Sequence, residues 1–501
     1  MKKIITLVSL AVCISGCSLD VNTDPNNPST VSYSLVLPAA ESAIATVTGD
    51  GIYNYAGFFA QYYDQMPEAN QYNLISEYNF TEQTQLIDRS YRTMYAGALE
   101  DLDVVLKDVN ANAADKYAAT VLRAYGFQLM VDNMDKAPYT EALQGSANSM
   151  PKWDDGQSVY EGVLSEMDAA EAALGNTIIS ASDLLMVDKN KDQTKEQIAL
   201  QQLQWKGFAN ALRLRMYFRF INAGVDVPGY TAKIKALIDA GNFFTGDIKF
   251  DAYSDITDKR NPWYSTNKVN LTTNHVASYP IVSYLKLTND PRIAYSFVKA
   301  TKTGVYAGEL PGSKVKLSAN KNADFSFLNY YPTKPVYFFT QSELQFFIAE
   351  AYLSFYNNDA KAQAAYEAGI DADFATRSMS ASPSVMYGTG GAVAWSTATD
   401  NTAKLKLIYM QKWVALCYMD HMEAWSEIRR TGVPKLSAST ADAIYADPTV
   451  YVAGELISPM INDLGAGTLV KRMYFPLTAR QLNTNTPKAV SATTPVWWDK
   501  K

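Results

Sequence analysis

Trp205-Lys206-Gly207-Phe208-Ala209-Asn210-Ala211-Leu212-Arg213-Leu214-Arg215 is the stretch that decides how this chain of 501 residues is read. Its aromatic and aliphatic residues return at helical spacing, and the pattern extends over 197–223 before stopping at Gly224. That is an amphipathic helix closed by a residue suited to a left-handed turn. Arg213 and Arg215 stand inside the apolar run, as Arg429 and Arg430 do in a second one. A guanidinium among apolar side chains needs partners, so structural ion pairs are expected for all four.

Outward from this helix the same period recurs. Leu37-Pro38 opens a helix with proline in its first turn, and 51–66, 90–109, 115–133 and 158–174 follow as further helical runs. Thr340 and Glu343 have the spacing of a capping box, and an apolar face of Leu344, Phe347, Ala351, Tyr352 and Phe355 follows them. Asp359 caps the next helix, to about 378, and 402–431 reads as the longest helix, stopped by Gly432 and Pro434. Helix pairs with no matching sequence at a fixed period imply a structural, degenerate repeat. Between them lie polar stretches at about 241–335, 380–400 and 434–470, rich in Asn, Thr, Gly and aromatics, with short alternating pieces at 314–317 and 336–339. Irregular runs this long inside a compact protein are usually functional. The fold class is therefore mainly α, with long irregular loops and a few short strands.

The first residues set the location. Lys2 and Lys3 precede an apolar run, 4–14, and then Ile14-Ser15-Gly16-Cys17. Eleven apolar residues are too few for a spanning helix of about 20, and the order is that of a secretory signal. Ile-Ser-Gly-Cys resembles a bacterial lipobox, which makes 1–16 a signal peptide and Cys17 the lipidated residue. The polar run 18–29 carries two prolines and no helical period, so 17–33 reads as a flexible tether, and 34–501 as one domain. Ser18, where some lipoproteins carry Asp, is compatible with passage to the outer membrane.

Composition excludes several functions. Lys and Arg number 44 against 51 Asp and Glu, a net charge of −7, which argues against nucleic acid. With Cys13 in the signal and Cys17 lipidated, Cys417 is left alone; it sits in an apolar helix and is expected to be a buried, inert thiol. The two histidines, His275 and His421, are far apart, and no HExxH is present. Asp188, Asn190 and Asp192 resemble the start of a calcium loop, but Gln193 and Ala199 stand where that loop needs Gly and Glu. Ser-x-x-Lys occurs six times, without Ser-Asp-Asn, and so discriminates nothing. We expect no enzyme and no cofactor. A glycosidase carboxylate pair, defined in space, is the alternative.

Taken together, the motifs resemble the SusD/RagB family of nutrient-binding outer-membrane lipoproteins, in its second SusD-like branch. The resemblance rests on Asn22-Thr23-Asp24-Pro25-Asn26-Asn27-Pro28, Pro138-Tyr139-Thr140-Glu141-Ala142-Leu143, the 205–215 helix, Asn289-Asp290-Pro291-Arg292, Gln411-Lys412-Trp413, Trp425-x-x-x-Arg429-Arg430-Thr431-Gly432 and Arg472-x-Tyr474-x-Pro476. One departure is Asp135-Lys136, where the family usually carries Gly-Asp. The resemblance implies four helix pairs packed like tetratricopeptide repeats. It also implies a cell-surface protein, anchored by acyl chains such as palmitate, that captures oligosaccharides. Delivery would be to a SusC-like TonB-dependent transporter, over which the protein sits as a lid. Peptides are the alternative cargo.

No motif of that family fixes its ligand residues, so these are chosen on chemistry. Tyrosine is enriched, at 33 residues, and rings stack on sugar faces while amides and guanidinium groups bind hydroxyls. Arg260-Asn261-Pro262-Trp263-Tyr264 offers that combination in a loop, and Asn70-Gln71-Tyr72-Asn73 is second. The expected ligand contacts are thus Arg260, Asn261, Trp263, Tyr264, Asn70 and Tyr72.

Overall fold

The computed structural model describes residues 32–177, 179, 182–186, 195–271, 274–314 and 316–501, with the main chain alone at 195–198. Cys17, the leader, the tether through Val31, and Asp188, Asn190 and Asp192 lie outside the described residues.

The chain enters through α1 (Tyr33–Gly49) and α2 (Gly51–Phe59). Ser32 caps α1, and Pro38 lies inside that helix, past its first turn. A run of α3 (Asp88–Thr93), a π-helical turn (Met94–Leu99) and α4 (Glu100–Lys107) follows. Four helix pairs then build the scaffold. α5 (Ala113–Met134) packs on α6 (Gly156–Leu174), and α7 (Lys195–Ala223) packs on α8 (Val227–Ala240). After α9 (Tyr279–Leu287), α10 (Gln341–Ser354) packs on α11 (Asp359–Thr376), and α12 (Asn401–Leu416) on α13 (His421–Thr431).

The strands are short: β1 (Tyr63–Gln65), β2 (Lys136–Ala137), β3 (Asp154–Asp155), β4 (Ile248–Phe250), β5 (His275–Ala277), β6 (Phe297–Val298), β7 (Phe327–Leu328) and β8 (Val336–Phe339). One antiparallel sheet has the order β1-β5-β7-β6, β2 pairs with β3, and β4 pairs with β8 across the polar 241–335 stretch. That pairing ties the two ends of the stretch together.

Buried ion pairs hold the pairs of helices in register. Arg215 of α7 reaches Glu343 at the start of α10 (2.7 Å) and Glu423 of α13 (3.3 Å). Arg219 bridges Glu423 (2.6 Å) and Asp132 of α5 (3.2 Å), and Arg430 joins Glu350 and Glu427 (2.6 and 2.7 Å). Arg213, at the edge, pairs with Asp168 and Glu171 of α6. Arg429 differs from the expectation. Its guanidinium stacks on Trp425 (3.8 Å to the ring centre) and donates to the carbonyl oxygens of Asp132 and Lys471. Burial lowers its pKa to about 10.

Local departures have local causes. The helix expected over 51–66 ends at Phe59 because Gln61 adopts φ +56° and the chain turns into β1. The helix expected over 402–431 is two, α12 and α13, broken at Tyr418 (φ +73°). Among the described residues of 314–317 there is a turn rather than a strand. Asn358, one residue before Asp359, caps α11. Asp135, where the resemblance leads one to look for glycine, takes φ +72° at the end of α5, and its carboxylate accepts the main-chain N–H of Trp497. Asp is among the few side chains that tolerate this conformation.

Candidate functional site

A polar concavity lies beside α1, with a volume of about 860 Å³, within the range of small-ligand sites. One wall is the outward face of α1. Ser42 and Thr46 stand one turn apart, and Asp50 follows one turn later at the helix end. This i, i+4, i+8 spacing puts three polar groups in a row. Arg89, in the first turn of α3, closes one side, and Phe250 with Tyr253 contributes aromatic surface. The opposite wall is the loop 252–260 and the π-helical turn Ser265–Asn270.

Asp50 is the charge at the base. Thr266 Oγ1 donates to its Oδ2 (3.1 Å), and Arg89 Nη1 lies 3.8 Å away. Burial pushes the Asp50 carboxyl up to about 6, against the opposing pull of Arg89 and of the Thr266 hydrogen bond. The Arg89 side chain is 72% exposed, so it remains reachable by a ligand. Arg260 lines the cleft and is held by Asp255 through Nε–Oδ1 (2.7 Å). That loop is closed by hydrogen bonds from Ser254 N to Lys259 O and from Lys259 N to Ile256 O.

The residues expected from sequence divide here. Arg260 faces the cleft. Asn261 is fully buried: Oδ1 accepts the N–H of Tyr264, and Nδ2 donates to the carbonyl of Lys334. Trp263, only 1% exposed, packs on Tyr330 (4.4 Å between ring centres) and donates Nε1–H to Asn54 Oδ1 (3.2 Å). Both expected contacts are corrected: these side chains anchor the wall from behind, and neither presents a surface to a ligand. The apolar area of an indole makes burial the stronger outcome wherever a core lies next to the loop. Tyr264 is half-buried beside them. Tyr72 reaches the same wall from its inner side, donating its hydroxyl to Asn267 Oδ1 (2.5 Å), while Asn70 is exposed in the preceding turn. The two stretches chosen from sequence are thus brought together, with most of their rings turned inward.

Asp50, Arg89, Thr46, Thr266 and Tyr253 were not foreseen. The i, i+4, i+8 spacing of Ser42, Thr46 and Asp50 along α1 is the signal that marks that wall. Both histidines are core residues. His421 stacks on Tyr53 at 3.6 Å, and His275 Nε2 meets Asn54 Oδ1 at 2.8 Å. Burial holds both pKa values well below the ordinary range. Cys417 is buried, its thiol pushed up to about 12. Among the described residues no three or more His, Cys, Asp and Glu form a group that could hold a metal ion, and no helix is long and apolar enough to cross a membrane. The cleft can therefore offer hydrogen bonds, paired charge and aromatic surface to a polyhydroxylated ligand.

Comparison with known proteins accords with the fold. A family model, SusD-like_2, described as starch-binding and associating with the outer membrane, matches residues 25–451. No curated protein matches the chain. Among solved structures, a SusD homologue from Bacteroides uniformis superposes with a TM-score of 0.71 at 21% identity, covering 93% of this chain and 99% of its own. A chitin-binding SusD homologue from Flavobacterium johnsoniae gives 0.71 at 21%, covering 93% and 98%. A SusD-like protein from Bacteroides thetaiotaomicron gives 0.70 at 20%, covering 94% and 99%.

Proposed function

The chain belongs to the SusD-like family of starch-binding, outer-membrane-associated proteins, and from that premise we propose that it is a cell-surface lipoprotein that captures oligosaccharides and hands them to a SusC-like TonB-dependent transporter, acting as its lid. In this reading Cys17 carries the acyl chains, and the tether after it lets the lid swing while remaining attached. The protein binds its cargo without cutting it.

The observation that supports this reading is the cleft of about 860 Å³ beside α1, where Arg89, Asp50, Thr266 and Arg260 surround the aromatic surface of Tyr253. Hydroxyl and guanidinium groups meet sugar hydroxyls, and a ring meets the apolar sugar face, the pattern of a carbohydrate site. A relative of the same fold is chitin-binding, which makes β-linked amino sugars a first panel to test beside starch fragments.

Calorimetric titration of the purified protein with starch, chitin and other oligosaccharides tests the proposal. Saturable binding of at least one oligosaccharide is expected, without product release on prolonged incubation. Tyr253→Ala and Arg260→Ala should each weaken binding about tenfold, the loss of a stacking or charge-assisted contact of about 1.4 kcal/mol. Binding that both variants leave unchanged would remove this cleft as the site.

A further inference from the structure

A second concavity, about 750 Å³, opens where α7, α10 and α12 meet beyond the end of α13. Its chemistry is the reverse of the polar cleft. Phe218 and Ile221 of α7, Phe355 after α10 and Leu405 of α12 form apolar walls. The polar groups at its floor are already satisfied by one another. Arg430 donates to both oxygens of Glu350 (2.8 and 2.6 Å) and to Glu427, and the Tyr409 hydroxyl donates to Glu350 Oε1 (2.8 Å). A sugar, which needs many unsatisfied partners, finds few here.

The mouth carries cations. Lys406 is exposed, without an ion-pair partner among the described residues, and Lys435 and Lys501 line the same concavity. Lys435 reaches Glu455 at 2.8 Å but keeps a side chain 64% exposed. Asp400 is the acidic group at the rim, and one of its carboxylate oxygens caps α12 by accepting the N–H of Ala403. A cationic mouth on a chain with a net charge of −7 is a local reversal, and charge complementarity selects the ligand.

We propose that this concavity is a second binding site, separate from the glycan cleft, for a small amphipathic anion: an apolar body between Ile221, Phe355 and Leu405, and a carboxylate, sulfate or sulfonate at Lys406 and Lys435. The ion pair of Glu350 and Arg430 ties the floor of the concavity together, and a floor already fixed lowers the ordering cost of binding.

The test is a fluorescence titration of the full chain with 1-anilinonaphthalene-8-sulfonate, with dodecanoate as competitor. Thermal melts confirm that each variant remains folded. Saturable one-site binding, displaced by dodecanoate, is expected. Ser354→Trp, an exposed position at the rim, fills the opening, and Lys406→Glu reverses the nearest charge; each should weaken the dye about tenfold. Arg260→Ala, in the other cleft, should leave the dye affinity unchanged. Absence of saturation, failure of dodecanoate to compete, or an affinity unmoved by either rim variant overturns the proposal.

Discussion

Arg215 Nη2 lies 2.7 Å from Glu343 Oε1 across 128 residues, with both side chains essentially shut off from solvent. The contact joins the middle of α7 to the first turn of α10. Thr340 caps that turn by accepting the N–H of Glu343 (3.1 Å), and the Glu343 carboxylate turns to Arg215 instead of back to the cap. Half of an expected capping box is thus traded for a link between two helix pairs.

Removing one partner leaves the other charge buried. Glu343→Leu should cost about 3–5 kcal/mol in urea unfolding, whereas adding Arg215→Met to Glu343→Leu should recover most of that loss. The double-mutant cycle measures the coupling directly. Additive losses would mean that the pair is not the link between α7 and α10.

Asp50 should make stability depend on pH in a defined window. Its folded pKa, about 6, lies above the ordinary 3.8, so between these values the native state holds a proton that the unfolded chain has released. Its contribution therefore falls as pH rises through about 4 to 6 and stays low above that. The upper bound is roughly 3 kcal/mol. Thermal melts from pH 4 to 7 should show wild type losing stability relative to Asp50→Asn; parallel curves would contradict the burial of this charge.

Trp263 tests packing rather than binding. Its indole fills space against Tyr330, Tyr63 and His275, so Trp263→Ala should cost about 3–5 kcal/mol in unfolding free energy. Trp263→Phe keeps a ring and gives up the hydrogen bond to Asn54, and should cost less. Equal costs would place the stability in the hydrogen bond.

Gly207, in the Trp205–Arg215 stretch, packs directly against main chain. A Cβ there would collide with the main-chain nitrogen of Phe244 and lie 2.7 Å from its Cα. Backbone cannot move aside as a flexible side chain can, so Gly207→Ala should destabilise by about 1–3 kcal/mol despite the better helix propensity of alanine. A stabilised variant in thermal melts would show that the 243–244 turn shifts freely.

Cys17 and Cys417 should behave as opposites. Cys17→Ala should release the protein from membranes in fractionation if Cys17 is the lipid anchor. The Cys417 thiol, buried and pushed up to about 12, should react with a thiol reagent only after unfolding. Rapid labelling of folded protein would contradict that burial.

Much of this protein was legible in the order of its residues. The 3.6-residue period around Trp205–Arg215 determined the helices, because an apolar stripe can be buried only if the chain coils to put it on one face. Arg213, Arg215 and Arg430 inside those stripes announced ion pairs, because a bare guanidinium is too costly to bury, whereas Arg429 found its partners in an indole face and carbonyl oxygens. Where helices break was less visible. Gln61 and Tyr418 adopt positive φ without being glycine, a choice enforced by packing around them rather than by their own preference. The polar cleft was the least legible part. Arg260 lines it, but Asn261 and Trp263 of the same loop point into the core, and Asp50, Arg89 and Thr266 come from three distant segments. A local sequence states which side chains can stack or hydrogen-bond. Which of them face solvent depends on the apolar surface that the rest of the chain brings beside them, and only the tertiary structure decides that.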